Sequence, residues 1–311
     1  SQGEETLGIV LAVDGSEGGE MDKLRAKSKE WAEAVRTGYL RQADVLKAVR
    51  TTIQKTWEYP MQVIFLSKEA WEKIASPVIR AALPKAHICR NFKQAAVYGP
   101  SKFQGFGVDH PHGLQVMAHV VAAMRHGTSD LPHGQWFRHN LEAHQLELGL
   151  PLGVFQNHVE EVGCLASNTW VSRLWKELSD LDMHLACKGK DLELSREDDA
   201  FLTSFFLDAG FEDLALRKLV WCARWLQATT LSDICTADGS SLLTSAWVGH
   251  RDPSRVSQYQ WGRLKRPPHS WWSVWQEALT PLLANPGTGD LILQEPLGPW
   301  LCQPGREWKY F

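Results

Sequence analysis

Apolar residues along this chain recur mainly at three- and four-residue intervals, which predicts a mainly α protein with a few short strands and hairpins. The exception comes first. Thr6 to Val13 is an apolar run ending in Asp14-Gly15, and it reads as a strand entering a tight turn. From Glu20 to Thr37, Met21, Leu24, Trp31, Ala34 and Val35 share one side of a helix that Gly38 ends. A second helix runs from about Arg41 to Thr56 on Val45, Leu46, Val49 and Ile53, and Pro60 interrupts the stretch beyond it. Ser67 then caps a third helix, built on Trp71, Ile74, Val78 and Ile79 and kinked at Pro77. Segments 113–126, 130–149 and 168–180 also read as helices, and 196–227 reads as a helical hairpin broken at Gly210. Leu231 to Val248 predicts a hairpin around Asp238-Gly239, Ser270 to Leu283 a Trp-rich helix, and Gly298 to Gln303 a short edge strand.

The chain has 311 residues, 44% of them hydrophobic, which amounts to about two domains. It lacks an initiator Met and opens almost at once in the strand pattern, so the expectation is that it starts inside a longer protein. No stretch approaches the roughly 20 apolar residues of a membrane span, and no basic-then-apolar leader precedes the first strand. Six cysteines without a C-x-x-C pair fit reduced thiols, so the expected location is cytoplasmic or nuclear, not secreted.

Charge adds what the net value of -3 conceals. Lys68 to Lys102 holds seven basic residues against Glu69 and Glu72, whereas 168–213 holds five basic against eleven acidic. A further basic stretch, Arg251 to Arg266, opposes five cations to Asp252 alone. One face can therefore be basic while the whole chain is not.

These elements, taken in order, carry a resemblance. A Leu7-Gly8-Ile9 strand with its Asp-Gly turn is followed by two basic helices and a third ending Leu83-Pro84-Lys85. Then comes Val97-Tyr98-Gly99-Pro100-Ser101-Lys102-Phe103-Gln104-Gly105-Phe106-Gly107-Val108. This order resembles the region after the palm in reverse transcriptases of non-long-terminal-repeat retrotransposons. Leu7-Gly8-Ile9 matches the family's primer-grip hairpin, residues about 20–95 its helical thumb, and Gln104-Gly105-Phe106-Gly107 its closing segment, with Phe in place of Leu. Ala228 to Ile234 and the following Thr236-Ala237-Asp238-Gly239 are similar to its connecting region. The resemblance implies a primer-grip-like hairpin at 1–18, a thumb-like helical bundle at 19–110, a helical connecting region at 111–228, and a C-terminal hairpin and Trp-rich helical region at 229–311. It also implies an upstream palm in the same polyprotein, and an RNA-DNA or DNA duplex as partner.

The chemistry of such a polymerase needs palm carboxylates, an aromatic-x-Asp-Asp turn and a partner Asp, holding two Mg²⁺ ions. No aromatic-x-Asp-Asp occurs here, so Mg²⁺ is expected only in the palm, and no catalytic, metal or cofactor residue is assigned to this chain. Asp198-Asp199 reads as the charged start of a helix. Asp14-Gly15-Ser16 is similar to the first-strand tripeptide of ribonuclease H domains, but helices follow where further strands would be needed, so it reads as a turn. Nine of twelve histidines lie between residues 87 and 158. Among them His110, His112 and His119 form only a weak zinc pattern, and His112, His119 and His126, seven residues apart, share a helix face expected to look toward phosphate or solvent.

The positive expectation is therefore phosphate contact without catalysis, through Lys23, Lys27, Lys68, Lys73, Arg90 and Lys102 and the amides near Gly105 and Gly107. The same side chains equally fit an ordinary solvated helix surface. A second basic and aromatic patch, Arg255, Tyr259, Trp261, Arg263, Lys265 and Arg266, could stack on single-stranded bases or form a loop packed by its own rings. The competing class is a non-catalytic structural or interaction protein derived from a retroelement, docking a partner through Trp271, Trp272, Trp275, Leu279 and Leu282.

Overall fold

The computed structural model describes residues 3–12, 14–185, 192–251 and 264–301. The chain divides into two compact units, the first ending at Asp130 and the second starting at Leu131.

The first unit opens with two three-residue strands, β1 (Glu4–Thr6) and β2 (Ile9–Leu11), antiparallel with Glu5 opposite Val10. The turn between them is Leu7-Gly8, with φ of 49° and 81°. Two positive φ values make this a mirror-image turn, whose twist matches that of the strands it joins. The single strand through to Val13 that the apolar pattern predicts is thus corrected to a hairpin, the kind of element that the resemblance implies at this point, because Gly8 allows a reversal that the apolar pattern does not register. Asp14-Gly15-Ser16 does form a turn, with the Ser16 amide donating to Asp14 Oδ1 at 2.9 Å.

Helix α1 (Gly18–Thr37) follows, then α2 (Val45–Ala48), a π turn (Val49–Ile53), α3 (Gln54–Glu58) and α4 (Lys68–Lys85). The predicted helix at 41–56 exists but widens in its middle, where the Thr51 and Thr52 hydroxyls donate back to the Lys47 and Ala48 carbonyls and compete with the backbone ladder. Helices α1 and α4 run parallel. At one end the Phe65 amide donates to Glu17 Oε1 at 2.8 Å, and at the other Lys85 Nζ donates to the Gly38 carbonyl at 3.0 Å. The segment between them returns antiparallel, since Thr52 meets Trp31 while Trp57 Nε1 donates to Ser28 Oγ at 3.0 Å.

Leu24, Val49, Trp57, Trp71, Ile74 and Val78 fill the core of this up-down-up arrangement. Ser67 caps α4, its Oγ accepting from the Ala70 amide at 3.2 Å, and the helix continues through Pro77. Gly38 closes α1 because a Cβ there would stand 2.6 Å from the Ala34 carbonyl oxygen. A short α5 (Gln94–Val97) leads to the 99–107 loop and to α6 (Pro111–Thr128). Leu114 and Ala118 of α6 pack on the same core, so α6 belongs with the first unit rather than with a connecting region starting at 111.

In the second unit, α7 (Pro132–Leu148) ends at Gly149 in the left-handed conformation, and α8 (Val159–Val162) precedes α9 (Trp170–Asp180), which Thr169 and Ser172 close with a reciprocal capping box. The expected hairpin appears as α10 (Leu202–Asp208) and α11 (Asp213–Leu226), broken at Gly210 with φ of 81°. A short α12 (Thr244–Trp247) and α13 (His269–Leu279) complete it. Around Asp238-Gly239 the predicted hairpin shrinks to a single bridge, Cys235 to Leu242; of the predicted edge strand, the described residues 298–301 form one bridge, between Trp300 and Arg196, and Cys302 and Gln303 lie outside the described residues.

Asp198-Asp199 does not start a helix, since α10 begins at Leu202. Asp199 instead points inward, its Oδ1 accepting from the Ala200 and Ser232 amides at 2.9 and 3.0 Å. Arg196, also buried, donates to the carbonyls of Ala237, Asp238, Leu297 and Gly298 and lies 4.9 Å from the Trp300 ring centroid. This guanidinium ties three separated segments through backbone acceptors.

The Trp-rich helix is largely internal. Trp275 is fully buried, donates to the Ala246 carbonyl at 3.1 Å and meets Phe206 edge to face, while Trp272 packs over Gly249, where a Cβ would overlap the indole. Trp271 is partly exposed, edge-on to Trp221, and so is Leu282 beyond the helix. Of the residues expected to form a docking stripe, Trp272, Trp275 and Leu279 are occupied by the second unit's own core.

Candidate nucleic-acid interface

Charge divides with the fold. Up to Asp130 there are 17 Lys and Arg against 14 Asp and Glu, and beyond it 16 against 22. The first unit is therefore the one whose surface favours a polyanion. Lys27, Lys68, Lys73, Arg90 and Lys102 are all exposed on it, and none is in an ion pair among the described residues. Lys27 and Lys73 stand on the outer faces of α1 and α4, Lys68 opens α4, and Arg90 follows α4.

Lys23 differs from the expectation. Its Nζ donates to Glu5 Oε1 and to the Gly8 carbonyl, both at 2.5 Å, so the ammonium braces the hairpin against α1 rather than facing a ligand. The Glu5 hydrogen bond raises the lysine's pKa, and the same contact lowers that of Glu5. Tyr59 completes the brace by donating its hydroxyl to the Leu7 carbonyl at 2.6 Å. Leu7, Gly8 and Ile9 thus form a hairpin tip held from two sides, with the Leu7 side chain 86% exposed.

The 99–107 loop also corrects one part of the reading. The amides of Gly105, Phe106 and Gly107 donate to the carbonyls of Pro100, Ala96 and Gly99 at 3.1, 2.9 and 2.9 Å. They are satisfied by carbonyls of the loop and of α5 and do not form an anion cradle. Both glycines have another reason to be there. A Cβ on Gly105 would overlap the Gly99 carbonyl, and Gly107 has φ of 64°. What the loop offers outward is side chains. Lys102 Nζ sits 4.8 Å from the centroid of the Phe103 ring, which is 73% exposed, and the Arg50 guanidinium reaches within 3.7 Å of where a Cβ on Gly107 would stand. Sequence reading missed Arg50 and Phe103. Phe103 was visible as an aromatic next to a lysine, whereas Arg50 arrives from a helix about fifty residues away.

The histidines divide by burial. His119 is fully buried and stacked on Phe65 with centroids 4.1 Å apart, so the face shared at seven-residue spacing is packed at its middle, while His112 and His126 on either side are half-buried. His110 lies against Tyr98 at 4.7 Å, and burial, then His112 and Lys68, push its imidazole below its ordinary pKa. Among the described residues no three or more His, Cys, Asp or Glu side chains gather to hold a metal ion, and no helix is long and apolar enough to cross a membrane. Arg255, Tyr259, Trp261 and Arg263 lie outside the described residues, while Lys265 and Arg266 are exposed ahead of α13.

A polar network of the second unit joins α7 to the start of α9. His144 contacts Glu147 Oε2 through Nδ1 at 3.0 Å and Thr169 Oγ1 through Nε2 at 2.5 Å, and the Ser167 amide and hydroxyl both donate to Glu147. Burial opposes ionisation of Glu147, but the His144 and Ser167 hydrogen bonds prevail and bring its pKa to about 2. This arrangement fixes the entry to α9.

No protein-family model, no curated protein and no solved structure matches this chain.

Proposed function

We propose that this chain is the post-palm part of a retroelement RNA-directed DNA polymerase, and that its first unit holds primer-template nucleic acid by the phosphates without supplying the catalytic metal site. The observation that carries this reading is the set of five exposed cations, Lys27, Lys68, Lys73, Arg90 and Lys102, on the positively charged unit and outside any ion pair among the described residues. Phosphate neutralisation requires accessible ammonium and guanidinium groups on rigid helices, and does not require base contacts. The braced Leu7-Gly8 tip is compatible with a grip, because its position is fixed from α1 and from Tyr59.

The test is salt-dependent binding of a fluorescein-labelled RNA-DNA hybrid to the full chain. Five phosphate contacts correspond to a slope of about -4.5 in log K against log salt. Replacing Lys68, Lys73 and Lys102 together by Gln should reduce the slope by about 3. A chain that shows no salt-dependent association refutes the reading, and an unchanged slope in the triple variant moves the contact elsewhere.

A further inference from the structure

We propose that Phe103 is a base-stacking platform, so that the 99–107 loop takes an unpaired, single-stranded stretch of nucleic acid; this rests on the phosphate-binding reading above. The loop is built to hold this ring outward. The Phe103 amide donates to the Pro100 carbonyl at 2.9 Å, the Gly105 amide donates to the same oxygen, and close Gly99-Gly105 backbone contact leaves no room for side chains between the loop's two limbs. The second aromatic, Phe106, packs on the unit's core and lies 5.3 Å from the Phe92 ring, so the loop is anchored by one ring while it presents the other. Standing 73% exposed, Phe103 buries little apolar surface within the unit.

The occupant is set by the groups around the ring. Lys102 holds its charge at one face, Arg50 approaches the same loop, and the neighbours Ser101, Lys102 and Gln104 are exposed and polar. An apolar protein partner would meet that polar rim, whereas a nucleotide places its base on the open face and its phosphate by the cation. A duplex offers only its phosphates, because its bases already stack on each other. The preference is therefore for unpaired bases.

Anisotropy of a fluorescein-labelled oligothymidylate of roughly a dozen nucleotides, compared with a duplex of the same length, tests this on the full chain. Phe103→Ala should weaken the single strand about tenfold with an unchanged salt slope, leave the duplex within about twofold, and be rescued by Phe103→Trp. Lys102→Gln should weaken both probes and lower both slopes by about 1. Equal effects of Phe103→Ala on the two probes, or none on either, overturn the stacking proposal. Absence of salt-dependent binding of either probe to the unaltered chain overturns the phosphate reading itself, and the stacking proposal with it.

Discussion

Gln115 gives the sharpest test of how the first unit is held together. It is fully buried on α6, and its side-chain amide serves three groups. Oε1 accepts from the Leu66 amide at 3.0 Å and from Trp71 Nε1 at 2.8 Å, while Nε2 donates to the Leu66 carbonyl at 3.1 Å. One side chain thus satisfies the backbone just before α4 and the largest ring of its first turn. Gln115→Met keeps the length and volume but strands those three polar groups away from water. Each orphan costs about 1–3 kcal/mol, partly offset by the easier burial of a thioether, so the net loss should be about 3–5 kcal/mol. Urea unfolding of the full chain measures that loss, and hydrogen exchange at Leu66 locates it. Trp71→Phe removes one of the two donors to Oε1, so in a double-mutant cycle the two substitutions should couple by about 1–2 kcal/mol. A loss below about 1 kcal/mol with Leu66 still protected would show that the amide does not join α6 to α4.

Two further substitutions probe local features. Leu7→Asn should raise the melting temperature, because a bulky Leu at φ of 49° is strained by about 1 kcal/mol where Asn is tolerated; an unchanged or lower value would contradict the turn geometry. Glu147, whose pKa falls from 4.5 to about 2 on folding, contributes stability that is complete above the unfolded value and is lost as pH drops from about 4.5 toward 2. Glu147→Gln should therefore flatten the acid limb of the stability profile by on the order of 2 kcal/mol after solvent screening, and an identical acid limb would remove Glu147 from its cause.

Much of the helical architecture was legible because burial imposes a period on the sequence. Leu24 and Val35 in α1, and Trp71, Ile74 and Val78 in α4, occupy the core where their spacing placed them, and Ser67, Gly38 and Gly210 punctuate the helices as their chemistry requires. Periodicity says nothing, however, about a turn inside an apolar run, and so Leu7-Gly8 reads as strand. It also cannot assign an inward charge to distant acceptors. Asp199 reads as part of a charged helix start and Arg196 as the first residue of a helical hairpin, yet they hold amides and carbonyls contributed by residues 200, 232, 237, 238, 297 and 298.

The candidate interface shows the same division. Sequence alone determined where positive charge concentrates and which lysines can carry it, because charge is a property of residue type and needs no partner to exist. Only the tertiary structure decided which cations are available, since that depends on groups brought together from elsewhere in the chain. Lys23 is taken by Glu5 and the Gly8 carbonyl, the glycine amides of the 99–107 loop close on the loop itself, and the Trp-rich helix turns its rings into a core. Arg50 and Phe103 join Lys102 at one loop by the same means: hydrogen bonds and packing act between neighbours in space, which the order of residues does not state.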